Sequence, residues 1–127
     1  MTPEAADHLE KARHFLSRAR VILASDVPEV AAREAYLAAF RAAQALIAER
    51  TGKDAKTHWG VHVQFARLTR DERTIDDGLR QFLPQAYDMK AIADYGVGPN
   101  DGVSNAQAAV AIENAERFVA AIVKLLT

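Results

Sequence analysis

The chain has 127 residues, of which 50% are hydrophobic, and its formal net charge is -1. This length is typical of one domain with a core large enough to fold alone. The near-neutral charge excludes a global attraction for nucleic acid or anionic membranes, so any such contact needs a local basic patch. The absence of cysteine excludes disulfides and thiolate chemistry, and it agrees with a reducing cytosol.

The N-terminal sequence does not have the composition of a targeting segment. Met1-Thr2-Pro3-Glu4 lacks the apolar region of a secretory signal peptide. Nor does any apolar run approach the roughly 20 residues that span a bilayer. We therefore expect a single domain over residues 1–127, cytoplasmic and without membrane contact.

Two amphipathic helices are predicted in the first half of the chain. The first runs from about Pro3 to Ala24, where apolar residues recur at steps of three and four, and Thr2 suits its start. The second runs from about Pro28 to Arg50 and ends before Gly52, a helix-terminating glycine. Its predicted inward face comprises Val30, Leu37, Phe40, Gln44 and Ile47, with Tyr36 and Ala43 beside them.

Two further helices are predicted between the second helix and a glycine-rich segment. The third runs from about His58 to Thr69 with Thr57 as its cap, and the fourth runs from about Ile75 to Tyr95 with Thr74 as its cap. Pro84 lies in the middle of the fourth helix, so we expect a kink or a split there. The predicted inward stripe of the third helix comprises Trp59, His62, Val63 and Ala66.

A turn-rich segment, Gly96-Val97-Gly98-Pro99-Asn100-Asp101-Gly102, precedes the last helix. Its glycines superficially suggest a phosphate-binding loop, but no strand precedes it and the Lys-Ser/Thr ending is missing, so we interpret it as a turn. Ser104 and Gln107 have the capping-box spacing, and a fifth helix runs from there to about Leu126. The whole pattern predicts an all-α, up-and-down bundle of about five helices.

The end of the fourth helix places polar side chains next to an apolar stripe. Tyr87, Lys90 and Asp94 fall on one side because a helix has about 3.6 residues per turn, and Tyr95 follows them. In one interpretation they form a binding or catalytic site. In the other, Lys90 and Asp94 are an i, i+4 ion pair worth roughly a few tenths of a kcal/mol, and the tyrosines only pack.

The loop between the second and third helices carries a small group of basic residues. Lys53, Lys56 and His58, next to Arg50, are candidates for binding phosphates, although a solvated loop has the same composition. His58 and His62 are four residues apart and could hold a metal from one face. A usual zinc site needs a third ligand, and no HExxH glutamate follows His58, so we predict no metal and no other cofactor.

Taken in order, several stretches resemble the HEPN-domain family, and the resemblance covers about Ala5 to Leu126. The resemblance is carried by Ala-Tyr and alanine/aromatic residues from Arg33 to Leu46, by Gly-Lys and Lys-Thr-His between Gly52 and Val61, by Lys90 followed by Asp94-Tyr95, and by Ala115 to Val119. No single stretch is specific, and their order and spacing together make the match.

The resemblance implies a bundle of about five helices that forms a homodimer. Many members of the family are metal-independent ribonucleases of toxin–antitoxin and defence systems, with an Arg-x4-6-His motif near the dimer cleft. Others bind RNA or nucleotides without cutting, or pair with a small nucleotidyltransferase. The branch resembled here often carries Arg-x3-Asp-Tyr. In this chain Lys90 stands at the arginine position and Asp94-Tyr95 at the histidine position.

This departure from the ribonuclease motif changes the expected chemistry. Lys90 offers positive charge to a phosphate but lacks the planar bidentate fork of arginine. Histidine exchanges protons near neutral pH, whereas an aspartate of ordinary pKa is a poor acid, so Asp94 would need a raised pKa or Tyr95 would have to donate.

The leading hypothesis from the sequence is a regulatory module that binds RNA or nucleotides and is linked to a toxin–antitoxin or nucleotidyltransferase system. Its homodimer would work with an antitoxin or nucleotidyltransferase partner, and exposed alanine faces on the second and fourth helices would permit dimerisation. Two alternatives stay open: a metal-independent RNA endonuclease, and a purely structural interaction partner. The candidate catalytic residues are Lys90, Asp94 and Tyr95, and the candidate ligand-binding residues are Tyr87, Lys53, Lys56 and His58.

Overall fold

The computed structural model describes residues 1–95 and 102–127, and these residues form an all-α bundle. No strand occurs in those two ranges, which confirms the predicted fold class. The helices are α1 (Pro3–Ala24), α2 (Pro28–Thr51), α3 (His58–Thr69), α4 (Asp77–Tyr95) and α5 (Asn105–Leu126).

Helix α2 is the centre of the bundle and packs against α1, α3, α4 and α5. Alanine has no side-chain entropy to lose and a small volume, so α2 combines high helix propensity with close approach of its neighbours. The prediction that α2 offers an exposed alanine face for dimerisation is wrong, because these alanines are buried within the chain. They are Ala31, Ala32, Ala35, Ala38, Ala39, Ala42, Ala43, Ala45 and Ala48.

Several helix ends have the capping residues that the sequence predicts. The Thr2 hydroxyl accepts a hydrogen bond from the Ala5 amide at 3.1 Å, and the Thr57 hydroxyl accepts one from the Gly60 amide at 2.9 Å. Both bonds satisfy amides that have no partner within the helix. At the start of α5 the predicted capping box forms between the residues Ser104 and Gln107.

The start of α4 differs from the prediction. The helix begins at Asp77, not Ile75, and the carboxylate of Asp76 accepts a hydrogen bond from the Leu79 amide at 2.8 Å. A carboxylate at this position also faces the positive end of the helix dipole, which explains why Asp76 caps the helix in place of Thr74. Helix α4 continues through Pro84 to Tyr95, so the predicted split does not occur.

The predicted inward face of α3 is wrong. Trp59 is 80% exposed and Val63 is 43% exposed. The face that packs inward instead carries Val61, Phe65 and Thr69. Both stripes are apolar enough to be buried, and the contact of α3 with its neighbouring helices decides which of them is buried.

That contact belongs to a phenylalanine cluster, formed by Phe65, Phe82 and Phe118. The Phe118 ring lies 5.1 Å from the Phe65 ring and 6.1 Å from the Phe82 ring, measured between centroids. All three side chains are buried. The phenylalanine cluster therefore joins α3, α4 and α5 and fixes which side of α3 is buried.

Residues 96–101 of the glycine-rich segment that we interpret as a turn lie outside the residues that the structure describes. After it, Val103 is buried and Ser104 begins the cap of α5. Within the described ranges, each helix is too short or too polar to cross a membrane.

Candidate functional site

Two histidines of α3 meet a buried tyrosine of α2. The Tyr36 hydroxyl lies 2.7 Å from Nδ1 of His58 and 3.0 Å from Nε2 of His62. Residues four apart on a helix lie on the same side, so both imidazoles reach the one hydroxyl. We call Tyr36, His58, His62 and Tyr87 the histidine cluster.

The fourth member of the histidine cluster, Tyr87 of α4, covers the two imidazoles from the other side. Its ring centroid lies 5.0 Å from that of His58, 5.6 Å from that of His62 and 5.4 Å from that of Tyr36. The ring of Phe40 also packs against His58, with 5.0 Å between the ring centroids. The histidines are half-buried and Tyr87 is 37% exposed, so the histidine cluster presents imidazole and phenol edges to solvent.

The environment of the histidine cluster favours neutral side chains. Burial lowers the pKa of His58, the positive charge of Lys90 lowers it further, and Asp94 opposes both effects. Burial also lowers the pKa of His62, His58 adds to this shift, and Asp88 opposes it. Burial raises the pKa of Tyr36, so its hydroxyl keeps its hydrogen at neutral pH.

Three charged side chains lie next to the histidine cluster. The Lys90 ammonium donates a hydrogen bond to Oδ2 of Asp94, and Nη1 of Arg33 lies 3.6 Å from Oδ1 of the same carboxylate. We call Arg33, Lys90 and Asp94 the charged cluster. The side chains of Lys90 and Asp94 are 19% and 23% exposed. Nη2 of Arg33 also lies 3.9 Å from Oε1 of Glu34, which pairs with Arg18. These three cations and two carboxylates leave an excess of one formal positive charge.

The Asp94 carboxylate is held in its ionised form. The hydrogen bond from Lys90 lowers the pKa of Asp94, burial opposes this shift, and the charges of Lys90 and Arg33 lower the pKa further. The raised pKa that an acid at this position would need is therefore the opposite of what the structure shows. At neutral pH Asp94 orients the two cations and is a weak proton acceptor.

The family model of the HEPN domain matches residues 5–126 of this chain. The chain belongs to the HEPN family. A comparison with curated proteins finds no match. Membership of the HEPN family supports a role that involves RNA or nucleotides.

The predicted site residues of the HEPN protein are only partly brought together. Tyr87, Lys90 and Asp94 lie on one side of α4, as their spacing predicts, and His58, the first residue of α3, joins them. Tyr95 is the last residue of α4 and is 78% exposed. Within residues 1–95 and 102–127, its hydroxyl makes no hydrogen bond, so its catalytic role stays a prediction.

The two loop lysines make no ion pair within the described residues. Lys53 lines surface pockets together with Asp54 and residues of the α2 C-terminus, and Lys56 is exposed. Their role in ligand binding stays a prediction.

Arg33, Tyr36 and His62 are site residues that the sequence analysis of the HEPN protein did not select. A signal for the first two exists, because Arg33, Tyr36 and Phe40 have helical spacing on one side of α2. They interrupt a run dominated by alanine, so they are conspicuous as large or polar residues. The sequence analysis places His62 on the inward stripe of α3 and weighs it as a metal ligand, and its bond to Tyr36 depends on a contact between helices.

Proposed function

We propose that this HEPN protein is a regulatory module that binds RNA or nucleotides on the surface formed by the histidine cluster and the charged cluster. The observation that carries the proposal is the position of Lys90. It holds Asp94 together with Arg33, and its charge acts on His58. We also propose a link to a toxin–antitoxin or nucleotidyltransferase system. The resemblance of the sequence to the HEPN family supports this part of the proposal.

The charged cluster has the composition of a phosphate-binding site. Arg33 offers a planar fork of N–H donors, and Lys90 offers a compact positive charge. Asp94 holds both cations in place but neutralises them only in part. A phosphate group that approaches the surface would gain contacts to both cations, while Asp94 keeps them pre-oriented.

The neighbouring aromatic side chains suit the bases of a single strand. Tyr87 is partly exposed beside the charged cluster, and the exposed Trp59 follows His58 directly on α3. Base stacking on an aromatic side chain is worth about 1–3 kcal/mol per base, and it tolerates any sequence. Cations interleaved with exposed aromatic rings therefore favour a single-stranded ligand over a duplex.

The test is a titration of a short single-stranded RNA, and of a nucleotide, at several salt concentrations. We expect Lys90→Ala to weaken RNA binding and to reduce the slope of log K against log salt by about 0.7, because one phosphate contact is lost. Lys11→Ala is the matched control, since Lys11 forms an i, i+4 pair with Asp7 on α1, a helix that carries no residue of either cluster. Equal effects of both substitutions, or no binding by the wild-type protein, would contradict the proposal.

A second candidate function is metal-independent RNA cleavage, with Lys90, Asp94 and Tyr95 as the catalytic residues. The observation in its favour is that the charge of Lys90 acts on His58, which shares the Tyr36 hydroxyl with His62, because imidazoles accept and donate protons near neutral pH. The test is incubation of cellular RNA with the protein in EDTA. Cleavage that is lost in folded Lys90→Ala and Asp94→Ala variants supports a nuclease, and no cleavage over a range of pH removes it.

We also propose that the protein acts as a homodimer, as the family resemblance implies. The molar mass in solution, measured by light scattering after gel filtration, tests this proposal. A monomer at all accessible concentrations would contradict it.

A further inference from the structure

One hydroxyl group lies between two imidazoles in the histidine cluster. We propose that Tyr36, His58 and His62 form a one-proton switch that strengthens the binding of phosphate groups at the charged cluster as the pH falls. The phosphate ligand in this inference rests on the proposed function, whereas the number of protons follows from the hydrogen bonds alone.

The Tyr36 hydroxyl carries one hydrogen, and this couples the tautomers of its two neighbours. It donates to one ring nitrogen, and the other ring nitrogen must then bring its own hydrogen and donate to the phenol oxygen. If Tyr36 donates to Nδ1 of His58, then Nε2 of His62 donates to Tyr36, and the reverse arrangement is equally complete. Tyr36 is fully buried, so its hydroxyl depends on these two partners.

One proton can be added to this arrangement without the loss of either hydrogen bond. A protonated His58 donates through Nδ1 to the phenol oxygen, and the hydroxyl then donates to Nε2 of His62. The mirror arrangement places the charge on His62. A second proton does not fit, because both imidazoles would donate to the same oxygen and the hydroxyl hydrogen would lose its acceptor in a buried position. Two positive charges would also lie side by side.

The charges that face the two histidines come from two helices. Helix α2 contributes Arg33, and α4 contributes Lys90, Asp94 and Asp88, together with the phenol of Tyr87. The cations oppose protonation and the carboxylates favour it. A bound phosphate group adds negative charge beside Lys90 and so favours the proton. By linkage, the proton favours the phosphate by the same amount.

The direction of the pH dependence follows from the free protein. The pKa values of His58 and His62 are below the ordinary histidine value of about 6.5, with burial as the main cause. Phosphate raises the pKa of the pair, so binding takes up a proton and tightens as the pH falls between the free and bound values. With one proton, the affinity changes by at most about tenfold per pH unit.

The same shifts affect stability in the absence of ligand. The unfolded chain binds protons at these histidines with ordinary pKa values, and the folded chain binds them at lower pH. Their contribution to the free energy of unfolding is therefore complete above about pH 6.5 and is lost as the pH falls toward the folded pKa values. Asp94 and Asp7 have lowered pKa values and titrate at more acidic pH, so they do not obscure this range.

The number of protons is measured by an NMR titration of the histidine ring signals in the free protein. We expect the His58 and His62 signals to change together, with a total uptake of one proton. In Tyr36→Phe the shared hydroxyl is gone, so each histidine should titrate by its own curve. If Tyr36→Phe does not fold, His62→Gln replaces it, and His58 should then titrate alone. Two separate, complete titrations in the wild-type protein would overturn the switch.

The coupling to phosphate is measured with oligouridylate that carries no terminal phosphate, since its phosphodiesters and bases keep their charge in this range. We expect the wild-type affinity to rise as the pH falls from about 7.5 to about 5.5, with a slope of up to about tenfold per unit. The double variant His58→Gln, His62→Gln should lose this slope. The control variant His14→Gln, at an exposed position of α1, should keep it.

The outcomes separate the inference from the function on which it rests. Salt-dependent binding with the same affinity at each pH overturns the switch and leaves the proposed function intact. No binding at any pH overturns the proposed function and the coupling with it. A slope that persists in the double histidine variant assigns the proton to another group and also overturns the switch.

Discussion

The phenylalanine cluster and the histidine cluster both connect α3 to α4, and they differ in everything else. Phe65, Phe82 and Phe118 are buried and carry no polar atom, and they join the two helices to α5. His58, His62 and Tyr87 are partly exposed and join the same helices to Tyr36 of α2. The first cluster stabilises the junction through packing, and the second places titratable groups at its surface.

This difference shows how a short helix can serve two purposes. Phe65 fixes the position and rotation of α3, since close-packed aromatic rings resist displacement. His58 and His62 lie closer to the start of the same helix, need little burial of their own, and can stay accessible to a ligand and to protons. The comparison predicts that stability and binding can be changed separately by substitutions in the two clusters.

The largest effect on stability is expected from Phe118→Ala. Removing a buried phenylalanine from the centre of the phenylalanine cluster leaves a cavity and costs about 3–5 kcal/mol of the free energy of unfolding. Urea unfolding measures this loss. RNA affinity, measured where the variant is still folded, should stay close to that of the wild-type protein. A larger loss of affinity than of stability would show that the two clusters are not separable.

A smaller effect is expected from Tyr36→Phe in the histidine cluster. The substitution keeps the ring and removes the hydroxyl that joins the two histidines, at a cost of about 1–2 kcal/mol. Urea unfolding again gives the magnitude. A loss as large as that of Phe118→Ala would mean that the histidine cluster contributes to the core as much as the phenylalanine cluster does.

The smallest effect sharpens the comparison at the start of α3. Thr57→Ala removes the cap next to His58 and should cost about 1 kcal/mol. Ser104→Ala removes a comparable cap from α5 and is the matched control. Both variants should lose similar stability, and only Thr57→Ala should weaken RNA binding, because it loosens His58. An equal loss of binding would show a general effect of stability.

Most of the fold is predictable from the sequence because its signals are local. Apolar spacing, alanine content and the caps at Thr2, Thr57 and Ser104 each depend on a few neighbouring residues. The error at the start of α4 has a local cause as well. Thr74 and Asp76 are both good caps, and the choice between them depends on where Ile75 packs.

The candidate site is predictable on α4 and at His58 of α3. Tyr87, Lys90 and Asp94 share one side of a single helix, so their spacing is enough to group them. Arg33 and His62 belong to other helices, and their distance to these residues depends on how the helices cross. The lowered pKa of Asp94 comes first from Lys90 on the same helix, and Arg33 adds to it from α2.

The sequence by itself determined the helices, their approximate ends, the all-α class and the family. Helix periodicity and capping depend on short stretches of neighbouring residues, so they can be recognised without the tertiary structure. Tertiary structure decided which stripe of α3 is buried and which residues meet at Tyr36. Two stripes of similar hydrophobicity compete for burial on α3, and the packing of Phe65 against Phe118 selects one of them. That choice turns His58 and His62 toward Tyr36, since residues four apart rotate together with the helix that carries them.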